Sequence, residues 1–164
     1  MPSSAFISRL SWRQIILLCI AFWFFIHAFQ TLFFLYDTKL VDAVRRSGGH
    51  PAPGELYNGI STDRLNDFLF WTGISGFIGL LAAFIIALIV SFSRKLFWMN
   101  AFIPFIIMYI LYRLNLSGWE YVKPFFWHIG QLFNTITIEF LVNGVILLAT
   151  GLLFIFLSTR PKSI

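Results

Sequence analysis

Three ionisable side chains stand within or at the ends of long apolar runs: His27, Arg113 and Glu139. A titratable group at membrane depth is costly, so each is a candidate for ligand binding, proton handling or an interhelical ion pair. Gln30, Thr31, Tyr109, Tyr112, Asn134 and Asn143 add hydrogen-bonding groups to the same runs. Glu139 and Asn143 are four residues apart and share a helix face. With helices alternating in direction, His27 falls near mid-depth, while Gln30, Tyr109, Arg113 and Glu139 fall in one half of the membrane. A Glu139–Arg113 pair, with His27 and Asn143 deeper, would then line a pocket for a small apolar or lipidic ligand. The competing reading is a set of satisfied interhelical contacts, which in membranes contribute only about 0.6 kcal/mol each. Acid–base work by Glu139 and His27 would further require them to meet within hydrogen-bond reach, which spacing does not establish.

Other chemistry has no motif to support it. His27, His50 and His128 lie in three different environments without metal-ligand spacing. Cys19 is the single cysteine, so neither an internal disulfide nor a thiolate zinc site is expected. There is no glycine-rich phosphate loop, no nucleophile elbow and no zinc-protease signature. The expectation is therefore no metal, no cofactor and, on balance, no catalysis.

The elements that must position these residues follow from composition. Of 164 residues, 59% are hydrophobic, 20% aromatic and only 12% charged, with 21 phenylalanines. A soluble domain is about one-quarter charged, so this chain lacks the polar material to cover a soluble surface. The net charge of +5 would hint at nucleic acid in a soluble protein. Here the basic residues flank apolar runs, which points to topology and anionic lipid instead.

A helix needs about 20 apolar residues to cross the bilayer, and four runs qualify or come close: Ile15–Tyr36, Phe68–Val90, Leu96–Tyr112 and Phe140–Leu157. They predict an all-α polytopic membrane protein: one domain over 1–164, with four transmembrane helices at about 14–36, 67–92, 96–113 and 133–158 in an antiparallel bundle. The first run is long for a signal peptide and lacks a small-residue cleavage site, so it reads as a retained span. Arg9, Arg13, Arg94, Lys95, Arg160 and Lys162 sit in short acid-free segments, which places both termini in the cytoplasm.

Two longer connections then face outward, both with structure of their own. In the first, Asp37 or Thr38 can cap a short helix over Lys39–Arg46. Ser47-Gly48-Gly49 stops it, a Pro51–Gly54 turn follows, and Ser61-Thr62-Asp63 opens the second span. The second connection carries Trp119, Tyr121, Phe125, Phe126 and Trp127, residues that favour the headgroup level. A helix from Pro124 to Ser158 would be about 52 Å long, so a break near Gly130 or an interfacial extension is expected.

Ser75, Gly79, Ala83, Ala87 and Ser91 form a stripe of small residues at spacing four. It admits a close neighbouring backbone, either a helix of the same bundle or a second copy; packing inside the bundle is the preferred reading. Gly144 and Gly151 form a second such face. The Phe-rich first span reads as lipid-facing over much of its circumference. Functionally, the leading expectation is a non-enzymatic subunit or accessory protein of a membrane complex, with the lipid bilayer and another membrane protein or a second copy as partners. The alternative is a binder or carrier of an apolar or lipidic ligand near Glu139 and Arg113. An oligomeric channel or a membrane enzyme comes after these. A compact chain without sorting signals leads us to expect a bacterial inner membrane.

Overall fold

The computed structural model describes residues 10–46, 61–116, 132–133 and 135–160, and these are almost wholly helical. Helix α1 spans Trp12–Phe33. It runs through a 3-10 turn, Phe34–Asp37, into α2, Thr38–Arg46. Helix α3 spans Thr62–Ser93, α4 Met99–Arg113 and α5 Ile136–Ser158. Three of the described helices (α1, α3 and α5) are long and apolar enough to cross a membrane, and α4 is a shorter apolar helix of 15 residues. At 1.5 Å per residue, the 32 residues of α3 reach about 48 Å, well beyond the hydrocarbon thickness of roughly 30 Å. Its outer turns therefore project or the helix tilts.

Local chemistry accounts for the helix ends. Ser11 accepts from Gln14 N at the start of α1, and Ser61 accepts from Arg64 N at the start of α3. Asp37 Oδ1 accepts from Leu40 N at 3.1 Å, so Asp37 caps α2. Helix α3 ends with Lys95 in the left-handed region (φ 54°) and Leu96 N bonded back to Ser91 O at 2.8 Å. Asn115 (φ 54°) ends α4 the same way, with Leu116 N on Leu111 O at 2.9 Å. Both are C-terminal caps that satisfy the last carbonyls. Because residues 94–98 are spent on the first cap and the turn after it, α4 begins at Met99 rather than near residue 96. Thr135 is extended (φ −119°, ψ 122°), so α5 starts at Ile136 rather than 133. The Ser61 cap lets α3 start at Thr62, six residues before the apolar run Phe68–Val90. The Ser47–Gly54 stretch and the aromatic loop around Trp119–Gly130 lie outside the described residues.

Hydrogen bonds between elements order the two ends of the bundle. At one end Ser11 N donates to Asn100 Oδ1 (3.1 Å), Asn100 Nδ2 donates to Gln14 Oε1 (2.9 Å), and Arg94 Nη1 donates to Thr159 O (2.9 Å). The start of α1, the α3–α4 turn and the end of α5 therefore lie together. At the other end Arg64 of α3 binds Asp37, with Nε 2.9 Å from Oδ2, and Tyr112 of α4 binds Gly73 O of α3 at 2.6 Å.

Helix α1 is the hub. It packs against α5, α3 and α4, in decreasing extent. Leu18, Ala21, Phe22, Phe25, Ile26 and Ala28 are all 2% exposed or less. The expectation of a largely lipid-facing first helix is thus overturned. The physical reason is that lipid and protein interior are equally apolar, so phenylalanine content does not distinguish them. Ser75, Gly79, Ala83, Ala87 and Ser91 are all buried, and α3 meets α1 along this side. A Cβ on Gly79 would lie 2.5 Å from Phe25 O, and one on Gly151 would lie 2.7 Å from the Phe25 ring. Helix α3 thus closes on the backbone of α1 at Gly79, and at Gly151 the glycine leaves α5 room for the Phe25 ring.

Gly79→Ala forces a backbone to move, whereas Gly73→Ala meets nothing nearer than the Tyr112 hydroxyl at 3.9 Å. We expect the first to destabilise by about 1–3 kcal/mol, as overpacked sites do, and the second to leave the melting temperature near wild type. Equal melting temperatures in thermal unfolding of the purified protein would refute this packing account.

Candidate functional site

The polar residues toward the Tyr112 and Glu139 end of the bundle fall into two separate constellations. The first joins α1, α3 and α4. His27 Nδ1 donates to Gln30 Oε1 at 3.1 Å, one turn along α1. Gln30 Nε2 donates to Tyr112 Oη at 3.3 Å, and Tyr112 Oη donates to Gly73 O at 2.6 Å. Trp23 meets the His27 ring edge-on, with centroids 4.8 Å apart. A side chain on Gly76 would collide with the Tyr112 hydroxyl at 2.6 Å, so the bare glycine is what lets Tyr112 lie against α3. This arrangement leaves a groove of about 660 Å³ between α3 and α4. Gln30, Tyr109, Tyr112 and Arg113 line it, together with Leu69, Phe70 and Phe77. Its size is that of a small-molecule site.

The second constellation lies on α5. Glu139, in the first turn, is 4% exposed, and Asn143 one turn deeper is 1% exposed. Glu139 Oε2 accepts from Arg45 Nη1 of α2 at 3.0 Å, and the Arg45 side chain is half exposed. Glu139 Oε1 is buried and has no hydrogen-bond partner among the described residues. The cation beside Glu139 is therefore Arg45 and not Arg113. Arg113 ends α4, which packs on α1 and α3, and it points to the groove instead. Of the six candidate ligand-binding residues, the structure brings Gln30, Tyr109 and Arg113 onto one groove and attaches His27 to it through Gln30. Glu139 and Asn143 stand apart.

Arg45 escaped the sequence reading because it lies in a segment read as part of an outer loop. The usable signal was the amphipathic pattern of Leu40, Val41 and Val44. Leu40 is fully buried, so α2 docks on the bundle and carries Arg45 with it. Next to it, burial works against ionisation of Asp37. Hydrogen bonds from Arg64 and from Leu40 N, with the charges of Arg64 and Lys39, outweigh that burial and hold the carboxyl below its usual range.

Cys19, Ile20, Trp23, Phe24, Met108 and Phe154 line a second crevice of about 480 Å³, wholly apolar. Among the described residues no three His, Cys, Asp or Glu side chains gather as a metal site would require. His50, His128 and Asn134 lie outside the described residues.

An all-helical, multi-pass membrane protein is the class that these apolar helices define. Beyond that class, comparison with known proteins finds no matching family, no matching characterised protein and no matching solved structure.

The Arg45–Glu139 pair lends itself to a double-mutant cycle. Arg45→Met leaves a buried carboxylate without its cation, and should lower stability by less than the roughly 3–5 kcal/mol of a fully buried pair, since Arg45 is half exposed. Adding Glu139→Gln should recover most of that loss. If the double variant is less stable than Arg45→Met alone, the pair is not coupled as described.

Proposed function

We propose that this chain is a non-enzymatic membrane protein with four spans and cytoplasmic termini, and that its working part is the outer-half groove, which binds a small apolar or lipidic molecule. The observation that carries this reading is the groove itself. It combines apolar walls with a few convergent polar groups, the usual make-up of a small-molecule site. The orientation rests on Arg13, Arg94, Lys95 and Arg160, which the inter-element hydrogen bonds bring to one end of the bundle. A bacterial plasma membrane remains the proposed location.

A role as accessory subunit is the second reading, and the apolar crevice beside Cys19 and Trp23 is what favours it. A helix of another membrane protein, or of a second copy, would fill that crevice without needing any polar partner. Glu139 and Asn143 take a structural role in both readings.

Native mass spectrometry of the protein, extracted gently from its own membrane, separates the two. Groove binding predicts the chain with a defined small adduct, and loss of that adduct in Gly73→Leu, whose side chain would enter the groove. Recovery of the chain bound to other polypeptides, with no adduct that Gly73→Leu removes, would instead establish the subunit.

A further inference from the structure

The lining of the groove also bears on the charge of its occupant. Arg113 is its one charged side chain, it is exposed, and no carboxylate lines the groove among the described residues. The uncharged groups add donors. Gln30 commits its oxygen to His27 but only one amide hydrogen to Tyr112, so a second N–H remains. Tyr109 brings a hydroxyl that makes no hydrogen bond within the described residues. Thr72 and Tyr112 have already spent their hydroxyl protons on Phe68 O and Gly73 O. A groove that offers a guanidinium together with N–H and O–H donors calls for an acceptor-rich anion, and Arg binds phosphate well because its planar fork can meet two oxygens.

Geometry supplies the rest of the molecule. Arg113 closes α4, which in the topology proposed above sets it at the level of the headgroups. From Phe70 to Phe77 the wall on α3 spans seven helical steps, about 10 Å along the helix. Leu69 and Phe70 on this wall are 58% and 64% exposed, so a hydrocarbon chain could enter from the bilayer side. We propose that the groove binds an anionic phospholipid of the outer leaflet, with its phosphate on Arg113 and the upper part of one acyl chain along α3. This proposal rests on the groove being the binding site and adds the class of ligand.

The test is native mass spectrometry of the full chain in detergent, titrated with phosphatidylglycerol or with phosphatidylcholine of the same acyl chains. Wild type should retain the anionic lipid about tenfold better, because phosphatidylcholine offers the same phosphate but sets its own cation against Arg113 and has no net charge to attract it. Arg113→Gln should abolish that preference while still binding both lipids. Lys95→Gln, which removes a charge at the opposite end, should keep it. Equal retention by wild type, or an unchanged preference in Arg113→Gln, would overturn the anionic ligand and leave groove binding intact. Displacement of the lipid by inorganic phosphate alone would overturn the lipid occupant, since the acyl contact would then contribute nothing. Identical lipid retention in wild type and Gly73→Leu would overturn the groove as the site, and with it both proposals.

Discussion

The bundle depends on the close approach of three helices at Phe25. On one side α3 presents Gly79 to the Phe25 carbonyl, and on another α5 presents Gly151 to the Phe25 ring. In a bilayer no hydrophobic gain rewards helix association, because lipid tails are as apolar as side chains. Attraction must come from dense van der Waals contact, and that contact is lost steeply with distance. Two glycines facing one residue bring the backbones near enough for aromatic side chains to interlock around them. Phe24 stacks on Phe154 at 5.8 Å, Phe34 meets Phe140 edge-on at 5.3 Å, and Phe84 stacks on Phe105 at 4.5 Å. The abundance of phenylalanine is used for packing between helices as well as for facing lipid.

With α1 in the centre, the positions of the polar groups follow. A group on α4 reaches α1 and α3, and a group on α5 reaches chiefly α1 and the extension above it. Arg113 and Glu139 lie toward the same end of the bundle, yet they are attached to helices that pack on different sides of the same hub. Each then finds the chemistry of its own side. Glu139 meets Arg45, carried there by the near-continuous run of α1 into α2. Arg113 lines the groove together with Tyr109, Gln30 and the apolar residues of α3. Interhelical hydrogen bonds in membranes are individually weak, about 0.6 kcal/mol. The chain from His27 through Gln30 and Tyr112 to Gly73 therefore matters for the orientation it imposes on the groove wall more than for its contribution to stability.

What could be read from the sequence was whatever depends on local rules. The Ser61 start of α3 and the Asp37 cap of α2 were visible as cap residues, and the apolar runs revealed the long helices. The break at Ser93-Arg94-Lys95 was legible from its charges between two apolar runs, but the left-handed conformation of Lys95 was not, since lysine carries no preference for it. Arg113 was visible as a cation at the end of an apolar helix, but its surroundings were not. The partner of an ionisable group depends on which helices touch, and apolar periodicity loses that information where the solvent is itself apolar. Helices that are apolar all round have no single wet face, so burial has to be inferred from residue size. Gly79, Ala83 and Ala87 carry that signal on α3. On α1 the equivalent positions are large aromatics, and the sequence reading went astray there.

Residue size also explains how one helix serves both the core and the groove. The small stripe of α3 faces α1, where Gly79 sets the distance between the helices. One turn nearer the outer end, Gly76 leaves room for the Tyr112 hydroxyl, and a Cβ there would stand 2.6 Å from that oxygen and 3.0 Å from Gln30 Nε2. Tyr112 can thus lie inward, bonded to α1 and α3, rather than outward across the space between α3 and α4. Its ring forms the inner wall of the groove and leaves the volume beside Arg113 open. Were Gly76 an alanine, the Tyr112 hydroxyl would have to give way and its bond to Gly73 O would loosen, while the contact at Gly79 stayed intact. The cavity is therefore a consequence of the same small-residue packing that assembles the bundle, displaced by one turn toward the start of α3.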